Sequence, residues 1–129
     1  MDRELLKNVE NDRFAKHSGI SITEIAPGYA AAKMEIHDYH LNGLNRVQGS
    51  AIFALADYVF AAASNSRGIS TVGVNCDITY FQSPKGKCLT AEANEVSSGK
   101  TLCSYNIDIF DEDGSLVARM SGNGFRLRK

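Results

Sequence analysis

The pattern of hydrophobic and polar positions divides the chain into a short helical start, one long apolar helix and a strand-rich second half. Residues 2–14 carry a single apolar stripe, with Asp2 as a candidate N-cap, and predict a short helix. Residues 50–64 are apolar at helical spacing and nearly apolar on the opposite side as well, which predicts a buried helix that ends near Gly68.

Segments with a period of two predict β-strands on both sides of this helix. Hydrophobic and polar residues alternate in several stretches that turn signals separate, namely 20–23 (briefly), 30–37, 72–80, 89–93, 103–109 and 116 to about 127. Residues 38–47 have the composition of a loop. Consecutive hairpins of this kind predict an α+β fold, in which an antiparallel sheet of five to six strands wraps around one central helix.

Length and composition agree with a single domain over residues 1–129, in which residues 1–18 form an N-terminal helical segment. The 129 residues are 43% hydrophobic and 22% charged, and no linker or repeat divides them. The formal net charge is -1, which leaves no basic field for nucleic acid. No apolar run is long enough to cross a membrane, and the charged N-terminus lacks a signal-peptide pattern, so we expect a cytoplasmic protein without a membrane partner.

The cysteines and one glycine-containing segment do not predict a metal or nucleotide site. Cys76, Cys88 and Cys103 are odd in number and widely spaced, so we expect reduced thiols and no bound metal. The segment Ser98–Thr101 resembles the end of a phosphate-binding loop, but Asn94 stands where that loop needs glycine. A β-turn with Lys100 at its tip is the better interpretation.

Asp57 is the one ionisable carboxyl group in the predicted buried helix. Small and aromatic residues share its helix face, and they could form the wall of a pocket: Ser50, Phe53, Ala54, Phe60, Ala61 and Ser64. Desolvation in such a pocket would raise the pKa of the carboxyl group and suit it as a base or nucleophile. The alternative is a carboxylate that points into an exposed groove or accepts from a backbone amide.

The start of the same helix is a second candidate for chemistry. Residues 47–50 place Gly49 where unpaired backbone N–H groups meet the positive end of the helix dipole, an arrangement that suits a developing oxyanion. The alternative is a simple Gly-Ser helix cap. Gly49 and Asp57 are eight residues apart, about 12 Å along a helix, so both act on one carbonyl only if antiparallel helices of two subunits face each other. The sequence thus suggests a homodimer.

Residues 40–50, followed by Leu55-Ala56-Asp57, resemble the hotdog-fold acyl-CoA thioesterases of the phenylacetic-acid-degradation (PaaI) type. The resemblance continues through residues 61–66, 78–81 and 114–118 and spans about residues 12–127. It implies dimers and often tetramers (dimers of dimers). It also implies hydrolysis of an acyl-CoA thioester to free acid and CoA, with no metal and no cofactor besides the coenzyme A of the substrate.

The resemblance also assigns roles to single residues. Asp57 would be the nucleophile or the general base for water, the Gly49 amide would polarise the thioester carbonyl, and Asn42 would position water or substrate. The CoA phosphates would meet surface loops, where the candidates are Lys85, Lys100 and Arg126; the alternative for each is a solvated charge. The chain departs from the family pattern at three positions: Asn45 and Ser50 replace glycines, and Gln48 replaces histidine. Gln48 stays a catalytic candidate, because its side chain can still donate to a carbonyl or hold a water.

The acyl group and the catalytic competence stay open at this point. Ser50, Ala61 and Ser64 are candidate substrate-binding residues. Phe53, Tyr58 and Phe60 would either line a pocket for an aryl or medium-chain acyl group or fill the core. Because Gln48 cannot shuttle a proton as histidine can, a non-catalytic acyl-CoA-binding protein, serving as a sensor or structural subunit, is the alternative function. A dehydratase is a third, without a histidine beside the carboxyl group to support it.

Overall fold

The protein folds into one six-stranded antiparallel sheet and one long helix. A computed structural model describes the backbone of residues 3–127 and the side chains of residues 7–127, so the predicted cap Asp2 lies outside the described residues. Along the chain the elements are α1 (Arg3–Glu10), α2 (Arg13–His17), β1 (Ile20–Ala26), β2 (Tyr29–Glu35), a 3₁₀ turn (Asp38–His40), α3 (Gly49–Ser64), β3 (Thr71–Tyr80), β4 (Cys88–Ser98), β5 (Leu102–Phe110) and β6 (Leu116–Arg126). The strand order in the sheet is β1-β2-β4-β5-β6-β3.

Helix α3 packs across one face of the sheet and touches all six strands. Alanines on the sheet face of β2 and β4 and on the facing side of α3 let the helix approach the sheet closely: Ala30, Ala32, Ala56, Ala62, Ala63, Ala91 and Ala93 are buried. Larger side chains such as Leu55, Val59 and Ile107 fill the space between them. The expected α+β architecture, an antiparallel sheet around one central helix, is confirmed.

Phe60 shows how closely helix and sheet approach at the β3 edge. Its ring lies against the backbone of Gly73 and Gly122, where an added Cβ would come within 3.1 and 3.2 Å of the ring. Phe60 also meets Tyr105 edge to face, with ring centroids 5.8 Å apart. The glycines therefore give the aromatic ring the space that a side chain would occupy. Phe60 belongs to the core, one of the two alternatives left open for it.

Two details of the predicted architecture were wrong. The N-terminal segment is two short helices, since the first ends at Glu10 and Asp12 caps the second by accepting from the Ala15 amide at 2.9 Å. The strands are not all joined by consecutive hairpins, since β3 pairs with β6 at the edge of the sheet and residues 81–87 carry the chain across to β4. Strand pairing depends on contacts distant in sequence, which periodicity does not report.

The predicted burial of α3 on all sides was also wrong for the single chain. Its sheet-facing side is buried, but Ser50 and Asp57 are exposed on the other side and Phe53, Ala54 and Ala61 are only half-buried. Helices α1 and α2 cover part of this outer side. In the described part of the chain, no helix is long and apolar enough to span a membrane.

Asp111 holds the crossing segment 81–87 in place. Its buried carboxylate accepts from the backbone amides of Lys85 at 2.8 Å, Gly86 at 3.0 Å and Glu112 at 2.7 Å. A Cβ at Gly86 would lie 2.7 Å from the Asp111 Oδ1, so glycine is required for this close approach. Three charge-assisted hydrogen bonds thus offset the cost of burying the carboxylate.

We predict that Asp111→Ala lowers the free energy of unfolding by about 2 kcal/mol, because three backbone amides lose a charged acceptor. The measurement is equilibrium urea denaturation. Glu35→Ala is the control, since the Glu35 side chain is 76% exposed, and we expect it to change stability little. Equal stability of the two variants would contradict an anchoring role for Asp111.

Candidate functional site

Asn42 shapes the loop that leads into α3. Its Oδ1 accepts from the amides of Leu44 at 2.8 Å and Arg46 at 3.2 Å, and its own amide donates to the Arg46 carbonyl at 2.7 Å. Asn45 closes this turn with a φ of +60°, the left-handed region that asparagine tolerates better than most residues. Asn45 therefore adopts a backbone conformation that is also open to glycine, the residue it replaces in the family pattern.

His40 connects this loop to the N-terminal helices. The ring is 4% exposed, its Nδ1 accepts from the His37 amide at 3.0 Å, and its Nε2–H donates to the Ser18 carbonyl at 2.7 Å. The ring is therefore the neutral Nε2–H tautomer. The His40 carbonyl accepts from the Gln48 amide at 2.8 Å, which sets the start of α3. Sequence reasoning gave this histidine no role.

The N-terminus of α3 presents unpaired amides, as predicted. Gln48 is the N-cap, and its carbonyl accepts from Ala51 at 3.0 Å and Ile52 at 3.3 Å, while its side chain makes no capping bond. Among the described backbone (residues 3–127) and side chains (residues 7–127), no acceptor meets the backbone N–H groups of Gly49 and Ser50. Together with the helix dipole, these two donors can stabilise an anion or a polarised carbonyl oxygen.

Tyr80 packs directly on this helix start, a contact that sequence reasoning missed. Its hydroxyl donates to the Gly49 carbonyl at 3.1 Å, and its ring would lie 3.4 Å from a Cβ at Gly49. The hydrogen bond fixes the peptide plane that also carries the Ser50 N–H. Desolvation by burial, followed by the charge of Cys76, raises the pKa of Tyr80, which keeps the hydroxyl a donor.

Two cavities lie at the helix start and share Asn42 as a lining residue. A groove of about 710 Å³ contains three of the predicted site residues, Asn42, Gln48 and Ser50, between apolar and aromatic walls. The remaining lining residues are Phe14, His17, Ser18, Tyr39, His40, Leu41, Gly43, Ala51 and Ala54. A second cavity of about 340 Å³, which we call the Gly49 cavity, is lined by Asn42, Arg46, Val47, Gly49, Ile52, Tyr80, Phe81, Gln82, Ser83 and Pro84.

Asp57 opens into a third, separate cavity of about 290 Å³ beside the edge strand β3. Its other lining residues are Phe60, Gly73, Val74, Asn75 and Cys76. The expected enclosed pocket is not formed by one chain, because the Asp57 side chain is exposed on the outer side of α3. Surrounding protein still desolvates the carboxyl group and raises its pKa, and the negative charge of Asp12 raises it further. A single chain therefore does not bring Asp57 and Gly49 into one cavity.

Three other predicted substrate-binding residues lie near Asp57 in sequence but differ in environment. Ala61 is half-buried, whereas Ser64 is buried and donates to the Ala61 carbonyl at 3.3 Å. Tyr58 is buried too, and its hydroxyl donates to the Val9 carbonyl at 2.7 Å, which ties α1 to α3. The hydroxyls of Ser64 and Tyr58 both donate to backbone carbonyls. For Tyr58, this burial favours a place in the core over a place in the wall of an acyl pocket.

The predicted phosphate-binding side chains are dispersed. Lys85 lies on the exposed crossing segment and Lys100 on the β4–β5 turn, and neither lines the three cavities described above. Arg126 was a wrong candidate: it is 7% exposed, and it donates to the Gly99 carbonyl and the Ser98 hydroxyl, both at 2.7 Å. Its guanidinium group holds the turn of residues 98–101, which a strand follows as predicted.

Comparison with known proteins identifies the family of the chain. The sequence profile of the Thioesterase superfamily matches residues 44–118. The acyl-coenzyme A thioesterase PaaI of Escherichia coli K12 is 35% identical over 119 residues, which cover 92% of this chain and 85% of that protein.

Solved structures extend the comparison to the whole fold. The E. coli PaaI protein superposes with a TM-score of 0.92 at 32% identity, covering 98% of this chain and 92% of that one. The TT0310 protein of Thermus thermophilus gives 0.86 at 35% identity, over 91% and 99%. A hypothetical thioesterase protein of Streptococcus pneumoniae TIGR4, solved with coenzyme A, gives 0.88 at 22% identity, over 96% and 98%, and shares the fold. The chain belongs to the Thioesterase superfamily and is a thioester hydrolase with the PaaI-type hotdog fold.

Proposed function

We propose that the protein hydrolyses acyl-CoA thioesters to a free acid and CoA at a site shared by two copies of the chain. The observation that carries this proposal is a pair of groups on α3 that have no hydrogen-bond partner among the described residues: the Gly49 amide at its start and the partly desolvated Asp57 carboxylate on its outer side. The name of the E. coli relative, an acyl-coenzyme A thioesterase, supports the choice of substrate class.

In the proposed reaction, the thioester carbonyl oxygen accepts a hydrogen bond from the Gly49 N–H. The Asp57 carboxylate then either takes a proton from water, which attacks the carbonyl carbon, or attacks that carbon itself to form an anhydride that water hydrolyses. In both routes the C–S bond breaks and CoA leaves as a thiolate that accepts a proton. The Gly49 amide stabilises the negative charge on the oxygen of the tetrahedral intermediate. Asn42 and the Gln48 side chain would position water or substrate.

The site requires a dimer because Gly49 and Asp57 are about 12 Å apart along one helix. Antiparallel packing of α3 against α3 of a second copy would bring Gly49 of one chain near Asp57 of the other. The unpaired edge of β3 supports this arrangement, since Val74 is 57% exposed there beside the Asp57 cavity. A homodimer is the minimal assembly, and a dimer of dimers would contain four such sites.

Loss of the Asp57 carboxylate should abolish most of the activity. We predict that Asp57→Asn lowers kcat for acyl-CoA hydrolysis at least about 100-fold, the scale expected for an acid–base group. The measurement is release of free CoA thiol from short-chain, medium-chain and aryl acyl-CoA substrates. Asp108→Asn, on the far side of the sheet and paired with Arg119, is the matched control.

The same assay separates the alternative functions. Binding of acyl-CoA without any turnover by the wild-type protein would favour the non-catalytic acyl-CoA-binding protein. Full turnover by Asp57→Asn would contradict the role of Asp57 while leaving the hydrolase assignment in place.

The pH dependence should report the environment of Asp57. Because its pKa is raised, activity that needs the carboxylate should fall on the acid side at a higher pH than for an ordinary aspartate. Asp12→Asn keeps a capping side chain for α2 but removes the second cause of the raised pKa. We predict that it moves the acid limb of the kcat profile to lower pH, and a shift to higher pH would contradict this coupling.

Mixing two inactive variants tests the shared site. Gly49→Pro removes the amide donor at the first helical position, where proline is well tolerated, and Gln48 already has the extended backbone that precedes proline. Dimers of Gly49→Pro with Asp57→Asn would contain one intact site from opposite chains. After mixed refolding we predict recovery of about a quarter of the wild-type activity, from statistical pairing in a two-fold dimer. No recovery despite verified mixed dimers would place both groups in one chain.

A further inference from the structure

Binding of a CoA ester requires positive charge where the CoA phosphates lie, which is at the far end of the pantetheine arm from the reacting thioester. The CoA half of such a substrate carries phosphates, whereas the protein has a formal net charge of -1. The attraction must therefore come from individual side chains near the site. Three arginines already have partners within the protein: Arg67 binds Glu95 at 2.7 Å, Arg119 binds Asp108 at 2.6 Å, and Arg126 donates to the Gly99 carbonyl in a turn.

Arg46 differs from these arginines in position and in partners. It lines the Gly49 cavity, together with the amide that the proposed reaction uses. Its side chain is exposed, and its guanidinium group makes no hydrogen bond or ion pair within the part of the chain that the structure describes. Two residues, Val47 and Gln48, lie between Arg46 and Gly49, so the Cα atoms of Arg46 and Gly49 are at most about 11 Å apart.

The backbone of Arg46 is held firmly although its side chain is exposed. Its amide donates to the Asn42 Oδ1 at 3.2 Å, and its carbonyl accepts from the Asn42 amide at 2.7 Å. The neighbouring residue Val47 pairs with Leu41 in a short β-bridge. The Arg46 side chain thus starts from a fixed point at the mouth of the cavity, which lowers the entropy lost when it binds a ligand.

The remaining walls of the Gly49 cavity suit the neutral part of such a ligand. Val47, Ile52, Phe81 and Pro84 present apolar surface. Gln82 also lines the cavity, but its Nε2 donates to the Leu116 carbonyl at 2.8 Å. Arg46 is therefore the charged group among the lining residues of this cavity, placed beside apolar walls that an alkyl-rich arm can follow.

We propose that Arg46 binds an anionic group of the thioester substrate, namely the CoA phosphates, and thereby determines affinity for CoA esters over smaller thioesters. This inference rests on the proposed function of the Gly49 site. Arginine suits the role because its planar guanidinium group pairs with phosphate oxygens through two hydrogen bonds. The same chemistry would bind a carboxylate at the end of an acyl group, so the test separates these two sources.

The test compares wild-type protein, Arg46→Gln, Arg46→Lys and a control, Lys33→Gln, whose exposed cation lies on β2 away from the helix start. Each is assayed with the same neutral acyl group on CoA and on N-acetylcysteamine, a thiol that lacks phosphates, and with a carboxylate-ended acyl group on both thiols. We expect Arg46→Gln to raise KM for the neutral acyl-CoA about tenfold, with kcat nearly unchanged.

The other arms of the test follow from the same electrostatics. The kcat/KM for the neutral N-acetylcysteamine ester should not change in Arg46→Gln, and Arg46→Lys should recover part of the affinity for CoA esters. The KM of the wild-type protein for acyl-CoA should rise with salt more steeply than that of Arg46→Gln.

Three outcomes would overturn the proposal. Equal losses on both neutral thioesters would indicate a structural role for Arg46, and an unchanged KM for acyl-CoA would exclude phosphate binding. A loss confined to carboxylate-ended acyl groups, on both thiols, would assign the acyl carboxylate as the anion instead. Failure of the proposed function is distinguishable from all three, because wild-type protein would then hydrolyse neither the CoA nor the N-acetylcysteamine ester.

Discussion

The structure depends on the packing of one helix that must bury one side and leave the other available. Helix α3 lies on the sheet through alanines and through Phe60, whose ring occupies the space above Gly73 and Gly122. This packing sets the direction of the helix axis. Its first amides and the Asp57 carboxylate are then at fixed positions on the outer surface, about two helical turns apart. A single rigid element thus determines the geometry of both proposed reacting groups.

The irregular segments around α3 are fixed by side chains that accept from backbone amides. Asn42 organises the loop before the helix, and Asp111 organises the crossing segment after β3. Both segments contribute walls to the Gly49 cavity, since Asn42 lies on one side and Pro84 on the other. Neither segment has regular secondary structure, so these local bonds replace the missing ladder of backbone hydrogen bonds. These backbone hydrogen bonds therefore hold the walls of the cavity in place before any substrate binds.

Much of the fold could be predicted from periodicity, because most helices and strands bury one face and their hydrophobic residues recur at the spacing of that face. The long helix was predicted at residues 50–64 and spans Gly49–Ser64, and strand β5 was predicted at 103–109 and spans Leu102–Phe110. The edge position of β3 could not be predicted, since pairing with β6 rather than β4 depends on distant contacts. The outer side of α3 was misjudged because an apolar sequence does not distinguish burial on the chain's own sheet from contact with a second copy.

The site was predicted only as far as residue types reveal chemistry. Asp57 stands out because a carboxylate in an apolar helix is unusual, and Gly49 stands out because a glycine at a helix start lets a ligand approach the free backbone amides. Arg46 and Tyr80 do not stand out, since each reaches the site through folding of loops and strands. Ser64 was predicted to bind substrate because it shares a helix face with Asp57. In the structure it is buried, and its hydroxyl donates to a carbonyl of its own helix.

The replacement of histidine by Gln48 affects the proposed chemistry less than the sequence alone suggests. The backbone of Gln48, not its side chain, receives the first helical hydrogen bonds and sets the direction of the free Gly49 amide. The electrostatic part of the site is therefore independent of the side chain at this position. A histidine could in addition protonate the leaving group, but a thiol has a pKa of about 8.5 and leaves readily as a thiolate near neutral pH. Hydrolysis of a thioester therefore does not need a general acid to protonate the leaving group. For this reason, glutamine at position 48 is compatible with thioester hydrolysis.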